Sequence, residues 1–162
     1  VDFAGPYYYA TMVCVTKADS PNANASSIDE LSGTATAQES TIWYNACLPQ
    51  IKGADIQTAA ESAPAMLMAL ETGTVDFVCT DMPTAQGAVR AYPDLKILDF
   101  SGTDGDFQFT DEERAENVNI GVSVKKGNTE LKDAIDSILS TMTADDFNAL
   151  MDEAIAIQPL SE

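Results

Sequence analysis

Apolar residues recur along the chain with two periods, one typical of strands and one typical of helices that bury one face. Short apolar runs rich in β-branched residues predict strands over residues 10–17, 34–38, 54–58, 75–79, 95–100 and 119–125. Helices are predicted over residues 27–33, 41–50, 62–72, 82–91 and 129–142, and again from residue 143 onward. In the helix predicted over residues 62–72 the apolar residues share one helical face: Ala63, Met66, Leu67 and Leu70.

Strands that alternate with helices predict an α/β fold with a mostly parallel sheet flanked by helices. The chain has 162 residues, enough for one domain or for one lobe with appendages. The last two predicted helices carry apolar stripes made of Leu131, Ile135, Ile138 and Met142, and of Phe147, Leu150 and Met151. Packing against each other would hide only part of these stripes, so the two helices need a further apolar surface.

Charge narrows the range of partners. Lys and Arg total 8 against 26 Asp and Glu, which gives a net charge of -18. Such a charge repels nucleic-acid phosphates and anionic lipid heads, so no nucleic-acid partner is expected. The sequence contains no His, which leaves no Ser-His-Asp or Cys-His catalytic centre to assemble from this chain. It also lacks the glycine motifs of nucleotide-binding loops, and no cofactor is predicted.

Two further features could hold a metal or a crosslink. Cys14, Cys47 and Cys79 show no C-x-x-C spacing, so a zinc site is not expected. One disulfide is compatible with this count, but the sequence fixes no pair. Residues 101–117 form an acidic stretch with one helical turn predicted over residues 110–114. Calcium is an alternative use of that stretch, although its spacing does not match an EF-hand loop.

Asp81 stands out among the acidic residues by its position. It follows a predicted buried strand and precedes a predicted helix, the place where α/β sheets bind ligands. A carboxylate there can accept hydrogen bonds from a ligand ammonium group. The alternative is that Asp81 only caps the following helix.

Three segments, in order, carry a family resemblance. Residues 1–8 read Val-Asp-Phe-Ala-Gly-Pro-Tyr-Tyr, and residues 75–83 read Val-Asp-Phe-Val-Cys-Thr-Asp-Met-Pro. Residues 121–131 read Gly-Val-Ser-Val-Lys-Lys-Gly-Asn-Thr-Glu-Leu. Together they resemble motifs of the extracellular solute-binding proteins of amino-acid ABC transporters, family 3, whose fold is the type II periplasmic-binding-protein fold.

The resemblance implies a domain organisation. In that family the first segment lies in mid-chain, where the backbone crosses between two lobes, so the sequence is expected to be a fragment that lacks the first lobe. Residues 1–9 would be the crossing segment, 10–118 the second α/β lobe, and 119–162 the return crossing and the C-terminal helices of the first lobe. Without that lobe, the helices are expected to dock on a second copy, giving a homodimer of the fragment.

The resemblance also implies ligand-binding residues. Asp81 would contact the α-amino group of a bound amino acid. Residues 38–42 resemble the family's Q-x-G-[ST]-[ST] segment, in which Thr41 and the backbone N–H of Ile42 would hold the α-carboxylate and Gln38 would face the ligand side chain. Ser40 stands where the family has glycine, and Ile42 replaces its second hydroxyl residue. A capped surface helix is the alternative for this segment.

A non-enzymatic function follows from the same resemblance. The chain would bind an amino acid or a similar small polar solute between two lobes and deliver it to an ABC permease in the membrane. The full-length protein would be extracellular, on the cell surface or periplasmic, and secreted or lipid-anchored. Two alternatives stay open: a ligand-sensing domain of a membrane receptor or kinase, and an enzyme similar to cyclohexadienyl dehydratase. The sequence does not identify the solute.

Overall fold

The structure is a computed structural model and describes residues 1–157. Its strands are β1 (Asp2–Tyr9), β2 (Met12–Lys17), β3 (Ser32–Thr36), β4 (Gly53–Ile56), β5 (Phe77–Asp81), β6 (Leu95–Leu98) and β7 (Asn119–Val124). Its α-helices are α1 (Ala63–Glu71), α2 (Met82–Ala91), α3 (Asp111–Asn117), α4 (Thr129–Leu139) and α5 (Ala144–Ile157). Contacts divide this part of the chain into a central unit, residues 11–108, and a terminal unit, residues 1–10 with 109–157.

A five-stranded sheet forms the centre of the central unit, with strand order β4-β3-β5-β2-β6. Strand β3 pairs in parallel with both β4 and β5, whereas β2 pairs antiparallel with β5 and β6. Four of the five strands therefore point in one direction and only β2 runs against them. The predicted α/β fold with a mostly parallel, helix-flanked sheet is confirmed.

Apolar residues fill both faces of this sheet. On one face, Val13 and Val15 of β2 and Val78 of β5 pack in one buried cluster with residues of α1 and α2: Met66, Leu67, Leu70, Ala85 and Ala88. Side chains alternate between faces along a strand, so Met12, Cys14 and Cys79 point to the other face. They meet the helical segment of residues 43–50 there, and Cys47 contacts Met12.

The segment predicted as one helix over residues 41–50 is irregular. Residues 43–47 form a π-helical turn and residues 48–50 a 3-10 turn. Pro49 has no backbone N–H to donate to a carbonyl four residues earlier, so a regular α-helix does not continue through it. The prediction of a helical segment that stops around Pro49 is correct, but its hydrogen bonding could not be deduced from the pattern.

Several other elements differ in extent from the sequence-based prediction: the strand predicted over residues 34–38 lies at Ser32–Thr36, and the helix predicted over 129–142 ends at Leu139. The strand predicted over residues 75–79 lies at 77–81, because the N–H groups of Thr74 and Val75 donate to the carbonyl of Ala69 and close α1 instead. The helix predicted over residues 27–33 is only the 3-10 turn Ile28–Glu30: Ser27 makes no side-chain cap hydrogen bond, and residue 33 already belongs to β3. The carboxylate of Glu30 instead accepts a hydrogen bond from the N–H of Ser26 at 2.7 Å, around a three-residue 3-10 turn.

The terminal unit is built on an antiparallel pair, β1 with β7. Asp136 of α4 accepts a hydrogen bond from the N–H of Gly5 at 2.7 Å, and the N–H of Gly127 donates to Asp2 at 2.8 Å. The Tyr7 and Phe147 rings lie with centroids 5.5 Å apart, which attaches α5 to β1. No residue of α4 or α5 is buried. In α4 and α5, Leu131, Ile138 and Leu150 expose between 47% and 64% of their surface.

Candidate functional site

Asp81 occupies the junction between a buried strand and a helix. It is the last residue of β5, which is buried over Phe77–Thr80, and it forms the N-cap of α2. Its Oδ1 accepts a hydrogen bond from the N–H of Thr84 at 2.8 Å, so the carboxylate does cap the helix. Within residues 1–157, no hydrogen bond or ion pair involves its Oδ2. The half-buried carboxylate can therefore cap α2 with one oxygen and offer the other to a ligand.

The loop after β3 turns through one residue with a left-handed backbone. Ser40 has a φ of 59°, in the left-handed region where glycine carries the lowest cost. The Thr41 hydroxyl donates to the carbonyl of Gln38 at 2.6 Å, and its oxygen lies 3.4 Å from the N–H of Tyr44. The family motif with glycine at the position of Ser40 is thus the sequence signal of a left-handed turn that starts a helical segment.

Strand register brings these two elements to one edge of the sheet. Strands β3 and β5 are parallel neighbours, and Thr36 is paired with Val78. Gln38 and Asp81 follow this pair by two and three residues, so both lie where the carboxyl ends of the strands meet. The segment after β4 pairs with the 38–42 loop, because Ala60 bridges Gln38 and its carbonyl accepts a hydrogen bond from the N–H of Glu39 at 2.8 Å. The structure thus gathers residues 38–42 and Asp81, which the sequence had predicted as one site.

The hydroxyl of Thr41 is already engaged within the protein. It donates its proton to the carbonyl of Gln38, so a ligand carboxylate would have to displace this bond to receive it. The backbone N–H of Ile42, at the start of the helical segment, has no acceptor among the described residues. The backbone N–H is consequently the better donor of the two that the sequence suggested for a carboxylate.

The charged side chains at this edge are all acidic, a feature that the family motifs did not indicate. Residues 37–42, 57–62 and 81–84 include Glu39, Glu61 and Asp81 but no Lys or Arg. Glu39 and Glu61 are exposed to solvent. The negative potential of three nearby carboxylates attracts a cationic group to this edge more than an anionic one. Acidic residues placed directly after predicted parallel strands were the signal that could have revealed it.

A surface cleft of about 670 Å³ lies elsewhere in the central unit. Ile28, Lys52 and Gly105 contribute to its lining. Ile28 precedes β3 and Lys52 precedes β4, so the cleft lies at the amino ends of these strands, opposite the edge that carries Asp81. It contains none of the predicted ligand-binding residues. Lys52 is ion-paired with Asp29 at 2.9 Å across this cleft, with both side chains largely exposed.

The sequence matches the model of a known family, bacterial extracellular solute-binding proteins, family 3, over residues 1–155. The chain belongs to this family. The resemblance inferred from the three motifs is therefore confirmed. No curated protein sequence is significantly similar to the chain.

Solved structures of solute-binding proteins share the fold. A substrate-binding protein of an amino-acid ABC transporter from Streptococcus pneumoniae, bound to L-arginine, is 23% identical with a TM-score of 0.73, over 96% of this chain and 61% of its own. A second substrate-binding protein of an amino-acid ABC transporter is 26% identical with a TM-score of 0.69, over 94% and 62%. The holo form of ArgBP from T. maritima is 23% identical with a TM-score of 0.66, over 94% and 61%. The chain thus spans about 61% of the length of these proteins.

Two properties of the described residues complete the description of this family member. None of its described helices has the length and apolar character needed to cross a bilayer. Within residues 1–157, no group of three or more His, Cys, Asp or Glu side chains is arranged to hold a metal ion.

Proposed function

We propose that this family member contributes one wall of an amino-acid binding cleft in the substrate-binding protein of an ABC transporter. The observation that carries the proposal is the position of Asp81, whose Oδ2 is left available at the carboxyl edge of the sheet. In the proposed complex this oxygen accepts a hydrogen bond from the α-ammonium group of the ligand. A charge-assisted bond of this kind is stronger than one between neutral groups.

The other ligand contacts are assigned to the loop after β3. The backbone N–H of Ile42, assisted by Thr41, binds the α-carboxylate, and Gln38 faces the ligand side chain. Ser40 acts through its left-handed backbone, which turns the chain so that the N–H groups of residues 41 and 42 open the helical segment. The excess of carboxylates at this edge favours an amino acid with an ammonium or guanidinium group. The similar structure from Streptococcus pneumoniae contains bound L-arginine, which supports this ligand class.

The remainder of the binding protein is assigned to a lobe outside this sequence. We propose that residues 10–118 form the second lobe, that residues 1–9 and the segment from 119 cross to the first, and that α4 and α5 cover the sheet of the first lobe. The exposed stripes on these two helices support this assignment, because soluble monomers rarely leave such apolar faces uncovered. In the isolated chain we propose that a second copy covers them.

Transport and location follow from this assignment. The full-length protein would work outside the cell membrane, secreted or lipid-anchored, and would deliver its ligand to a membrane permease after the lobes close. It would bind its ligand without transforming it. The family description as extracellular solute-binding proteins supports both statements.

Calorimetry of the full-length protein with a panel of amino acids tests the proposal. Asp81→Asn keeps an oxygen that can cap α2 but removes the negative charge, so affinity should fall roughly tenfold to hundredfold while stability changes by only a few tenths of a kcal/mol. Glu39→Gln is the matched control, since it removes one charge from the same edge at an exposed position and should change affinity less than threefold.

The outcomes separate the parts of the proposal. If wild type binds an amino acid and Asp81→Asn binds it equally well, Asp81 is only a helix cap. If wild type binds none of the panel, the proposed function itself is wrong. The 162-residue chain alone should bind poorly, because one wall of a cleft leaves the ligand solvated.

A further inference from the structure

Two of the three cysteines lie directly opposite each other in the central sheet. Cys14 of β2 is paired with Cys79 of β5 in the antiparallel register. The N–H of Met82 donates to the carbonyl of Thr11 at 2.9 Å, so Thr11 and Met82 form a hydrogen-bonded pair of the same ladder. Pairs alternate along an antiparallel ladder, so three residues further on Cys14 and Cys79 form a non-hydrogen-bonded pair. Their Cα atoms are then about 4.5 Å apart, within the range that a disulfide spans.

The side chains of Cys14 and Cys79 bring their sulfur atoms close together. The two Sγ atoms are 3.3 Å apart, and both residues are buried, with relative exposures of 0% and 1%. A disulfide requires the sulfurs to approach to about 2.05 Å, which side-chain rotation can supply because the strands already have the right separation. The two cysteines are 65 residues apart in the sequence. The sequence could not reveal this proximity.

Cys47 is the third thiol of this cluster and the natural competitor. Its Sγ lies 3.5 Å from Met12 Sδ, on the same face of the sheet. It belongs to the helical segment of residues 43–47 and is not part of the strand ladder, so no register fixes it opposite Cys79. The geometry therefore selects one of the three pairings that the sequence had left open.

We propose that Cys14 and Cys79 form a disulfide when the chain folds in the presence of a low-molecular-weight disulfide. The thiolate of one cysteine attacks the external disulfide and releases one small thiol, which leaves a mixed disulfide on the protein. The thiolate of the second cysteine then attacks the protein sulfur of that mixed disulfide and releases the second small thiol. The two cysteines lose two protons and two electrons, and the oxidant is reduced to two thiols.

Burial determines when this exchange takes place. Burial itself, the hydrogen bond with Cys14 and the nearby thiols of Cys14 and Cys47 raise the pKa of Cys79 well above its usual value. In the folded, reduced protein this thiol is therefore protonated and shielded from the reagent. The crosslink forms while β2 and β5 are still accessible during folding. It closes a loop that contains β3, β4 and the 38–42 segment, and it joins β2 to β5 two residues before Asp81.

Peptide mapping tests the proposal on the 162-residue chain. The reduced, unfolded protein is refolded with oxidised glutathione, alkylated and digested with trypsin. Each cysteine falls in its own tryptic peptide, 1–17, 18–52 or 53–90, because Lys17, Lys52 and Arg90 are the cleavage sites between and around them. The expected product is a linked pair of peptides 1–17 and 53–90 with the mass of two hydrogens missing. Oxidation in urea is the reference, and should give all three pairings.

Variants make the result specific. Cys47→Ala should keep the 1–17 and 53–90 link, whereas Cys14→Ala should lose it. The oxidised wild type should melt about 10 °C or more above the reduced form, and this difference should disappear in Cys14→Ala. If Cys14→Ala fails to fold, the mapping of wild type against Cys47→Ala still decides the question. A dominant link from peptide 18–52, or unlinked thiols after oxidative refolding, overturns the proposal.

Discussion

Gly33 shows how closely the starts of β3 and β5 are fitted together. Its φ is 109°, and a Cβ placed there would lie 2.4 Å from Asp76 Oδ2 and 2.9 Å from Asp76 Cγ. This same Oδ2 accepts hydrogen bonds from the backbone N–H of Thr34 at 2.8 Å and from its hydroxyl at 2.9 Å. The substitution Gly33→Ala must therefore strain the backbone and also displace a carboxylate that links two neighbouring strands.

The expected loss of stability follows from these two contributions. Strain at a φ unsuited to an L-residue costs about 1–3 kcal/mol. Displacing Asp76 weakens two charge-assisted hydrogen bonds, which are worth roughly 1.5–3 kcal/mol each when buried and less at this exposed position. We expect Gly33→Ala to lower the free energy of unfolding by about 3–4 kcal/mol. Gly73→Ala is the matched control: its φ is 73° and a Cβ meets nothing within 4 Å, so it should cost about 1 kcal/mol.

Urea denaturation of the 162-residue chain, followed by circular dichroism, measures both changes. In an Asp76→Ala background the carboxylate is absent, and the additional cost of Gly33→Ala should fall towards that of Gly73→Ala. The difference gives a coupling energy of about 2 kcal/mol. Equal losses for Gly33→Ala and Gly73→Ala, or an unchanged cost of Gly33→Ala in the Asp76→Ala background, would refute the steric argument.

Two further predictions concern the terminal unit. The isolated chain should self-associate through α4 and α5, which light scattering measures as a mass above that of the monomer. Ile138→Asp should lower this mass towards the monomer, whereas the control Met68→Asp, at an exposed residue of α1, should not. A monomeric wild type would contradict the prediction that the apolar faces of α4 and α5 need a second copy to cover them. Hydrogen bonds from Lys132 and from the N–H of Gly5 lower the pKa of Asp136, so their stabilisation is present above the unfolded carboxyl pKa and is lost as the pH falls through the lower folded value. The NMR shift of the Gly5 amide should report this loss below pH ~4, and titration at or above the ordinary range would contradict it.

Much of the fold was predictable because local patterns carry it. The apolar face of α1 and the β-branched runs of β2 and β5 identify the elements from neighbouring residues alone. Proline and glycine add the ends of elements, as at Pro49 and Gly73. The family motifs supplied what these patterns could not, namely the type II fold and the candidate ligand-binding residues of the 38–42 segment.

The candidate site was predictable in its members but not in its geometry. The strand-to-helix position of Asp81 is visible in the sequence, whereas the capping of Thr84 by a single oxygen is visible only in the structure. The left-handed backbone at Ser40 is also visible only in the structure, because a serine does not indicate a positive φ. Only the glycine at this position of the family motif indicates it. The commitment of the Thr41 hydroxyl to Gln38 depends on that turn.

Most elements, their order and the family could be read from the sequence, because periodicity and motifs are properties of residues close together along the chain. Strand neighbours are visible only in the folded protein: β2 runs against the other four strands, Cys14 faces Cys79, and Asp76 reaches Thr34. Strand pairing joins residues tens of positions apart, and an apolar strand carries the same pattern whichever neighbour it has. Partner and register are therefore selected only when the whole sheet packs against its helices.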